Sequence, residues 1–188
     1  MYIRKWKQEL FTVPNLLSFL RIGLIPIYMT IFLRADTPRD FAVAGDILIL
    51  SCLTDALDGF IARKFNRITE LGKLLDPIAD KLTQCTLTAC LSVKYPVMVP
   101  VLALLILKEG CQLAACIVNY HKGKALPGAQ FPGKVSTSVL FVSLILLVLF
   151  PDISQEAVSW ISLIDVLFLF FTFVSYTRVY LHWYAENR

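Results

Sequence analysis

Residues 55–63 read DALDGFIAR, and residues 71–80 read LGKLLDPIAD. Asp55, Asp58, Gly59 and Ala62 fall at i, i+3, i+4 and i+7, which places them on one face of a helix. Gly72, Asp76 and Asp80 fall at i, i+4 and i+8, again one face. Only a short segment joins the two helices, so they run antiparallel. At about 1.5 Å of rise per residue, Asp55 lies roughly 12 Å along its helix from Arg63, and Asp80 roughly 12 Å from Gly72. Asp58 and Asp76 each lie roughly 6–8 Å from the same ends. The acids therefore match in level, pair by pair. Gly59, Ala62 and Gly72 leave room on these faces for close helix approach or for a ligand against bare backbone.

The surroundings of these acids are apolar. The chain has 188 residues, 57% hydrophobic and only 17% charged, with a mean hydropathy of +0.67. A soluble domain would be nearer half apolar and about a quarter charged. Long apolar runs and no alternating ten-residue pattern make this an all-α integral membrane protein rather than a barrel. One domain over residues 1–188 is expected, with six transmembrane helices at about 15–33, 41–62, 71–91, 97–118, 135–150 and 158–180. Breaks are expected at 36–40, 64–70, 95–96, 121–133 and 151–156. Residues 1–12 are basic and aromatic at their start, which suits a short N-terminal interfacial helix anchored by Trp6.

The net charge of +4 does not point to nucleic acid, because the basic residues sit between apolar runs. There they set topology and meet anionic headgroups. Arg4, Lys5, Lys7, Arg63, Lys64, Arg67, Lys73, Lys122, Lys124, Lys134, Arg178 and Arg188 fall on one side. By the positive-inside rule that side is cytoplasmic, and it holds both termini and the carboxylates. The lack of a signal or transit peptide at the start favours a bacterial plasma membrane. Five cysteines lie in apolar segments without metal-ligand spacing and read as packing residues.

An Asp at the centre of a membrane helix costs about 2.5–3.5 kcal/mol, less near the interface. Four that converge repel one another and call for a compensating partner. Two divalent cations would cancel their formal charge, and hard carboxylate oxygens favour Mg²⁺, with Mn²⁺ or Ca²⁺ as alternatives. His121 and His182 lie outside the cluster, which counts against zinc. The plain alternative is pairing of the acids with Arg63, Lys73 or Lys81. A cation or proton transporter would also use intramembrane acids, but would spread them through its depth. Asn15 and Arg21 of the first span are six residues apart and do not align on one face.

At these residues the chain resembles the CDP-alcohol phosphatidyltransferase family, whose signature is D-x2-D-G-x2-A-R-x8-G-x3-D-x3-D. Asp55, Asp58, Gly59, Ala62, Arg63, Gly72, Asp76 and Asp80 occupy every defined position. The opening VPNLLSFLRI and the context LGKLLDPIADKL are similar to the phosphatidylglycerophosphate synthase branch, with cardiolipin synthases close behind. The resemblance implies that Asp55, Asp58, Asp76 and Asp80 bind two Mg²⁺ or Mn²⁺ ions and that Asp80 is the general base. Gly59, Ala62, Gly72 and Arg63 would accommodate a cytidine nucleotide and its diphosphate. The implied substrates are CDP-diacylglycerol, drawn from the surrounding membrane lipids, and glycerol 3-phosphate, or phosphatidylglycerol in the cardiolipin branch. A homodimer is implied as well. Lys108, Lys134 and Arg178 are the candidates for an acceptor phosphate pocket, although Lys134 and Arg178 would equally snorkel to headgroups and Lys108 would equally pair with Glu109. The glycerophosphate branch often carries Arg where Lys108 stands, and Lys lacks Arg's two-pronged grip on phosphate.

Overall fold

The computed structural model describes residues 12–64, 69–121 and 131–186. Among these the secondary structure is helical. The elements are α1 (Val13–Leu33), α2 (Pro38–Lys64), α3 (Glu70–Lys94), a 3-10 turn (Pro96–Met98), α4 (Val99–His121), α5 (Phe131–Leu149) and α6 (Gln155–Glu186). Each expected span overlaps one of these six helices, the fourth beginning in the 3-10 turn. Four stretches are long and apolar enough to cross a membrane: Asn15–Leu33, Pro96–Ala115, Pro132–Leu149 and Gln155–Tyr180. Helices α2 and α3 are long enough but carry the acids and their flanking bases, which lowers their hydropathy. The expected interfacial helix at 1–12 lies outside the described residues, apart from Thr12.

Local chemistry sets the helix ends. In T-P-R-D, the Thr37 amide donates to Asp40 Oδ2 at 2.9 Å and the Asp40 amide to Thr37 Oγ1 at 3.3 Å, with Pro38 opening α2. This is a capping box with Asp in place of Glu. Thr69 caps α3 by accepting the Gly72 amide at 2.9 Å. Ser154 caps α6 by accepting the Ala157 amide at 3.2 Å. Inside the helices, hydroxyls return to the carbonyl four residues back, as Thr83 does to Ala79 at 2.8 Å and Thr88 to Gln84 at 2.7 Å. That is how Ser and Thr are tolerated where water is scarce.

The chain forms two compact units, Met1–Cys90 and Leu91–Arg188. In the first, α1 packs closely along α2, with Leu24, Tyr28 and Phe32 of α1 and Ala44 and Leu48 of α2 buried. Tyr28 stacks on Phe32 at 5.6 Å, and Phe32 meets Phe41 edge-on at 5.5 Å. In the second, α6 packs against α4 and α5. Buried Val101 and Leu105, Leu140 and Leu144, and Val158 and Leu169 form its centre. Ser162 donates to the Val97 carbonyl at 2.7 Å, and Tyr95 to the Pro151 carbonyl at 3.0 Å.

Several helix ends differ from the sequence expectation, most clearly those of α5 and α6. The break expected to run to residue 133 ends earlier, because α5 begins at Phe131 and takes Gly133 into its first turn. Gly133 is buried there against Tyr176 of α6. Helix α6 extends beyond 158–180 at both ends, since its cap lies at Ser154 and its polar last turns remain helical.

Asp165 of α6 was not singled out by the sequence pattern. It is 1% exposed, and accepts from Ser143 of α5 at 3.0 Å through Oδ1. Its Oδ2 is buried without a hydrogen bond among the described residues. Asp165→Asn keeps the shape and the Ser143 bond and removes a carboxylate that must otherwise be buried. The variant is expected to unfold at a higher temperature in detergent, by about 1 kcal/mol or more of stability. A lowered midpoint would show that a charged Asp165 contributes to the fold.

Candidate functional site

The polar side chains of α1 converge on α3. Asn15, Ser18 and Arg21 are 0%, 0% and 2% exposed, although neighbouring Leu16, Phe19 and Leu20 are exposed. Their spacing of three residues makes one slowly winding row, and each meets a successive polar group of α3 or its cap. Asn15 Nδ2 donates to Thr69 Oγ1 at 3.1 Å. Ser18 Oγ donates to Asp76 Oδ1 at 2.5 Å. Arg21 Nη1 donates to Asp80 Oδ1 and forms an ion pair with it. The partners ascend in the same order as the donors, so α1 and α3 run parallel here. Asn15 and Arg21 are about 120° apart on an ideal helix and so do not share one narrow face, as their spacing indicates. Both nonetheless meet α3 or its cap, with Ser18 between them.

Among the described residues Arg21 is a basic partner of Asp80 that the alternatives Arg63, Lys73 and Lys81 did not include; the side chains of Arg63 and Lys73 lie outside the described residues. The two ends of this pair differ in environment. The Arg21 side chain is 2% exposed and that of Asp80 48% exposed. The cation is sunk between helices while the carboxylate remains reachable from outside. Asp76 is half-buried one turn earlier. Pro77 lies between them and cannot donate to the carbonyl of Lys73, which leaves that carbonyl outside the helical ladder.

Gly72 is buried at the start of α3. A Cβ there would lie 2.8 Å from Asn15 Oδ1 and 3.0 Å from Thr69 Oγ1. The missing side chain thus lets α1 approach the α3 cap. Asp55, Asp58, Gly59, Ala62 and Arg63 have their backbone in the last turns of α2. Their side chains lie outside the described residues. Among the described residues no three His, Cys, Asp or Glu side chains form a metal-binding group, and Asp55 and Asp58 are not among them. The donor chemistry of the signature is nonetheless suited to Mg²⁺ or Mn²⁺: acidic oxygens, with no sulfur or imidazole.

The acceptor candidates belong to the second unit. Lys108 is buried, and its ammonium donates to Glu109 Oε1 at 2.7 Å. This is the pairing foreseen as its plain alternative. Lys134 and Arg178 are exposed. Lys134 follows Gly133 and Arg178 lies two residues past Tyr176, so the Gly133–Tyr176 contact brings both to the same end of the α5–α6 pair. Sequence reasoning missed Ser18 and Thr69. The signal was present in NLLSFLR, where three polar residues recur every third position in an apolar helix.

The profile of the CDP-alcohol phosphatidyltransferase family matches residues 11–177. A CMP-forming cardiolipin synthase of Streptomyces coelicolor is 31% identical over 161 residues, covering 84% of this chain and 72% of that protein. A CMP-forming cardiolipin synthase of Rattus norvegicus is 40% identical over 117 residues, covering 62% of this chain and 37% of that protein. A CDP-diacylglycerol--glycerol-3-phosphate 3-phosphatidyltransferase of Escherichia coli is 42% identical over 72 residues, covering 38% of this chain and 39% of that protein. The rat and Escherichia coli proteins are thus matched over less than half of their length.

Proposed function

The chain belongs to the CDP-alcohol phosphatidyltransferase family, a family of transferases, and on that premise we propose that it transfers a phosphatidyl group from CDP-diacylglycerol to glycerol 3-phosphate. The products are phosphatidylglycerophosphate and CMP. The observation that carries this reading is the complete eight-position signature, of which Asp76 and Asp80 stand on adjacent turns of α3, each held by a donor from α1. All six helices cross the bilayer in this reading, with the termini and carboxylates on the cytoplasmic side of a bacterial plasma membrane. The distribution of Lys and Arg supports that orientation. The enzyme works as a homodimer.

Asp55, Asp58, Asp76 and Asp80 would hold Mg²⁺ or Mn²⁺, which when bound draws charge from the diphosphate and makes CMP a better leaving group. Gly59, Ala62, Gly72 and Arg63 accommodate the cytidine diphosphate. Asp80, half-exposed, accepts the proton of the acceptor hydroxyl. The acceptor oxygen forms a bond to the phosphorus that carries diacylglycerol, the bond from that phosphorus to CMP breaks, and CMP departs with the electron pair. Lys134 and Arg178 bind the acceptor phosphate as point charge and fork respectively. Lys108 contributes less, since Glu109 already offsets its charge.

A second reading keeps the chemistry and takes phosphatidylglycerol as acceptor, giving cardiolipin. One observation and one charge argument favour it. The cardiolipin synthase of Streptomyces coelicolor matches 84% of this chain, against 38% for the Escherichia coli phosphatidyltransferase. A phosphodiester carries less charge than the glycerol 3-phosphate dianion and needs fewer cations, which suits a set in which Glu109 already offsets Lys108. Membranes holding the protein, supplied with CDP-diacylglycerol, Mg²⁺ and one acceptor at a time, separate the two. Release of CMP with a lipid product is expected from glycerol 3-phosphate. Product from phosphatidylglycerol alone would replace the first reading by the second, and no product from either would end both.

A further inference from the structure

Helix α1 holds no residue of the family signature, yet its three buried polar side chains all address α3. We infer that Ser18 and Arg21 are positioning residues that set the carboxylates of Asp76 and Asp80 for divalent-metal binding. This rests on the proposed function only in taking those two aspartates as metal ligands.

The argument is one of geometry and charge. Asp76 and Asp80 are four residues apart on one helix, and like charges at that spacing repel. Left alone, two partly exposed carboxylates would rotate apart. Instead each has one oxygen fixed from the same side by a donor that is itself almost wholly buried. Ser18 Oγ donates to Asp76 Oδ1 at 2.5 Å, a short contact that holds this oxygen in place. Arg21 is sunk to 2% exposure and bonds the carboxylate of Asp80, whose side chain is 48% exposed. Asn15 bonds Thr69 and occupies the space opposite Gly72, which fixes the height of α1 against the α3 cap. The row therefore grips α3 at its cap and at both carboxylates. Groups that orient metal ligands without touching the metal typically shift metal affinity by about 10–100-fold when removed.

The test is Mn²⁺ binding to the purified protein in detergent, read by electron paramagnetic resonance for wild type, Ser18→Ala and Arg21→Lys. Helical content by circular dichroism is measured in parallel. Mn²⁺ affinity is expected to fall about tenfold in Ser18→Ala with helical content unchanged. Arg21→Lys, which keeps the charge but not the fork, is expected to give a smaller fall. In the transfer assay the Mg²⁺ concentration for half-maximal rate should rise in parallel, while KM for CDP-diacylglycerol at saturating Mg²⁺ stays within about twofold. Donors that only support the fold would lower the unfolding temperature and leave Mn²⁺ affinity as it was. That result in both variants would overturn the inference, as would a wild-type protein that binds no Mn²⁺. Mn²⁺ binding that depends on Ser18, in a protein that turns over no acceptor, would uphold the inference and remove the proposed reaction.

Discussion

Asp80→Asn is expected to lower turnover by about 10³-fold, within the span attributed to a positioned general base. It is also expected to destabilise the protein, because Asp80 is an anionic partner of buried Arg21. Asparagine keeps an oxygen that Arg21 can donate to, but not the charge. Removing one end of a fully buried pair costs about 3–5 kcal/mol. Here Asp80 is half-exposed and water already screens it, so about 2 kcal/mol is a fairer figure. The two losses can be told apart. Adding Arg21→Met removes the buried cation whose charge the Asp80 carboxylate no longer offsets, so the double variant should recover thermal stability over Asp80→Asn while its turnover stays at the lower level. Recovery of turnover along with stability would mean that Asp80 acts by holding the fold. Turnover of Asp80→Asn within tenfold of wild type would remove it as the base.

The helices were legible as long apolar runs, and the caps at Thr37, Thr69 and Ser154 use residue types that capping requires. Helix ends read from apolarity alone were less secure. Gly133 reads as a breaker in sequence, but it is a packing residue inside α5, since a loop glycine and a close-contact glycine look alike. The two helices that carry the signature are also the two whose composition falls short of an ordinary span. That is the expected conflict where function places charge in an apolar setting.

The spacing of the acids on α3 was readable from helix geometry, but their partners were not. Pairing was sought among bases close in sequence, Arg63, Lys73 and Lys81, and that search did not reach Arg21, which lies 59 residues from Asp80 on α1. Periodicity reports which face of a helix a residue occupies and is silent on which helix lies opposite. The opposing stripe was visible in Asn15, Ser18 and Arg21, yet reading two of them without the third hid the row. Asp165 was passed over for a similar reason. A lone acid in an apolar run has no period, and its Ser143 partner lies 22 residues away on another helix.

Gly133→Ala carries the second large effect. The added Cβ would fall 2.8 Å from Cε2 and 3.0 Å from Cζ of Tyr176, and nearer still to its hydroxyl oxygen. Those atoms belong to a rigid ring that is 8% exposed and packs against Tyr180 at 5.8 Å. The ring has little freedom to yield, so α5 and α6 must separate at this crossing. Overpacking of this kind costs about 1–3 kcal/mol. Tyr176→Leu in the same chain removes the obstructing ring and should return most of the loss, with a coupling energy of about 1 kcal/mol or more in a double-mutant cycle. The crossing also sets the separation of Lys134, which follows Gly133, and Arg178, which follows Tyr176 by two residues. If those cations hold the acceptor phosphate, Gly133→Ala raises KM for glycerol 3-phosphate severalfold and leaves KM for CDP-diacylglycerol near its wild-type value. A drop in stability with both constants unchanged would move the acceptor pocket away from this end of α5 and α6 and leave Gly133 as a packing residue alone.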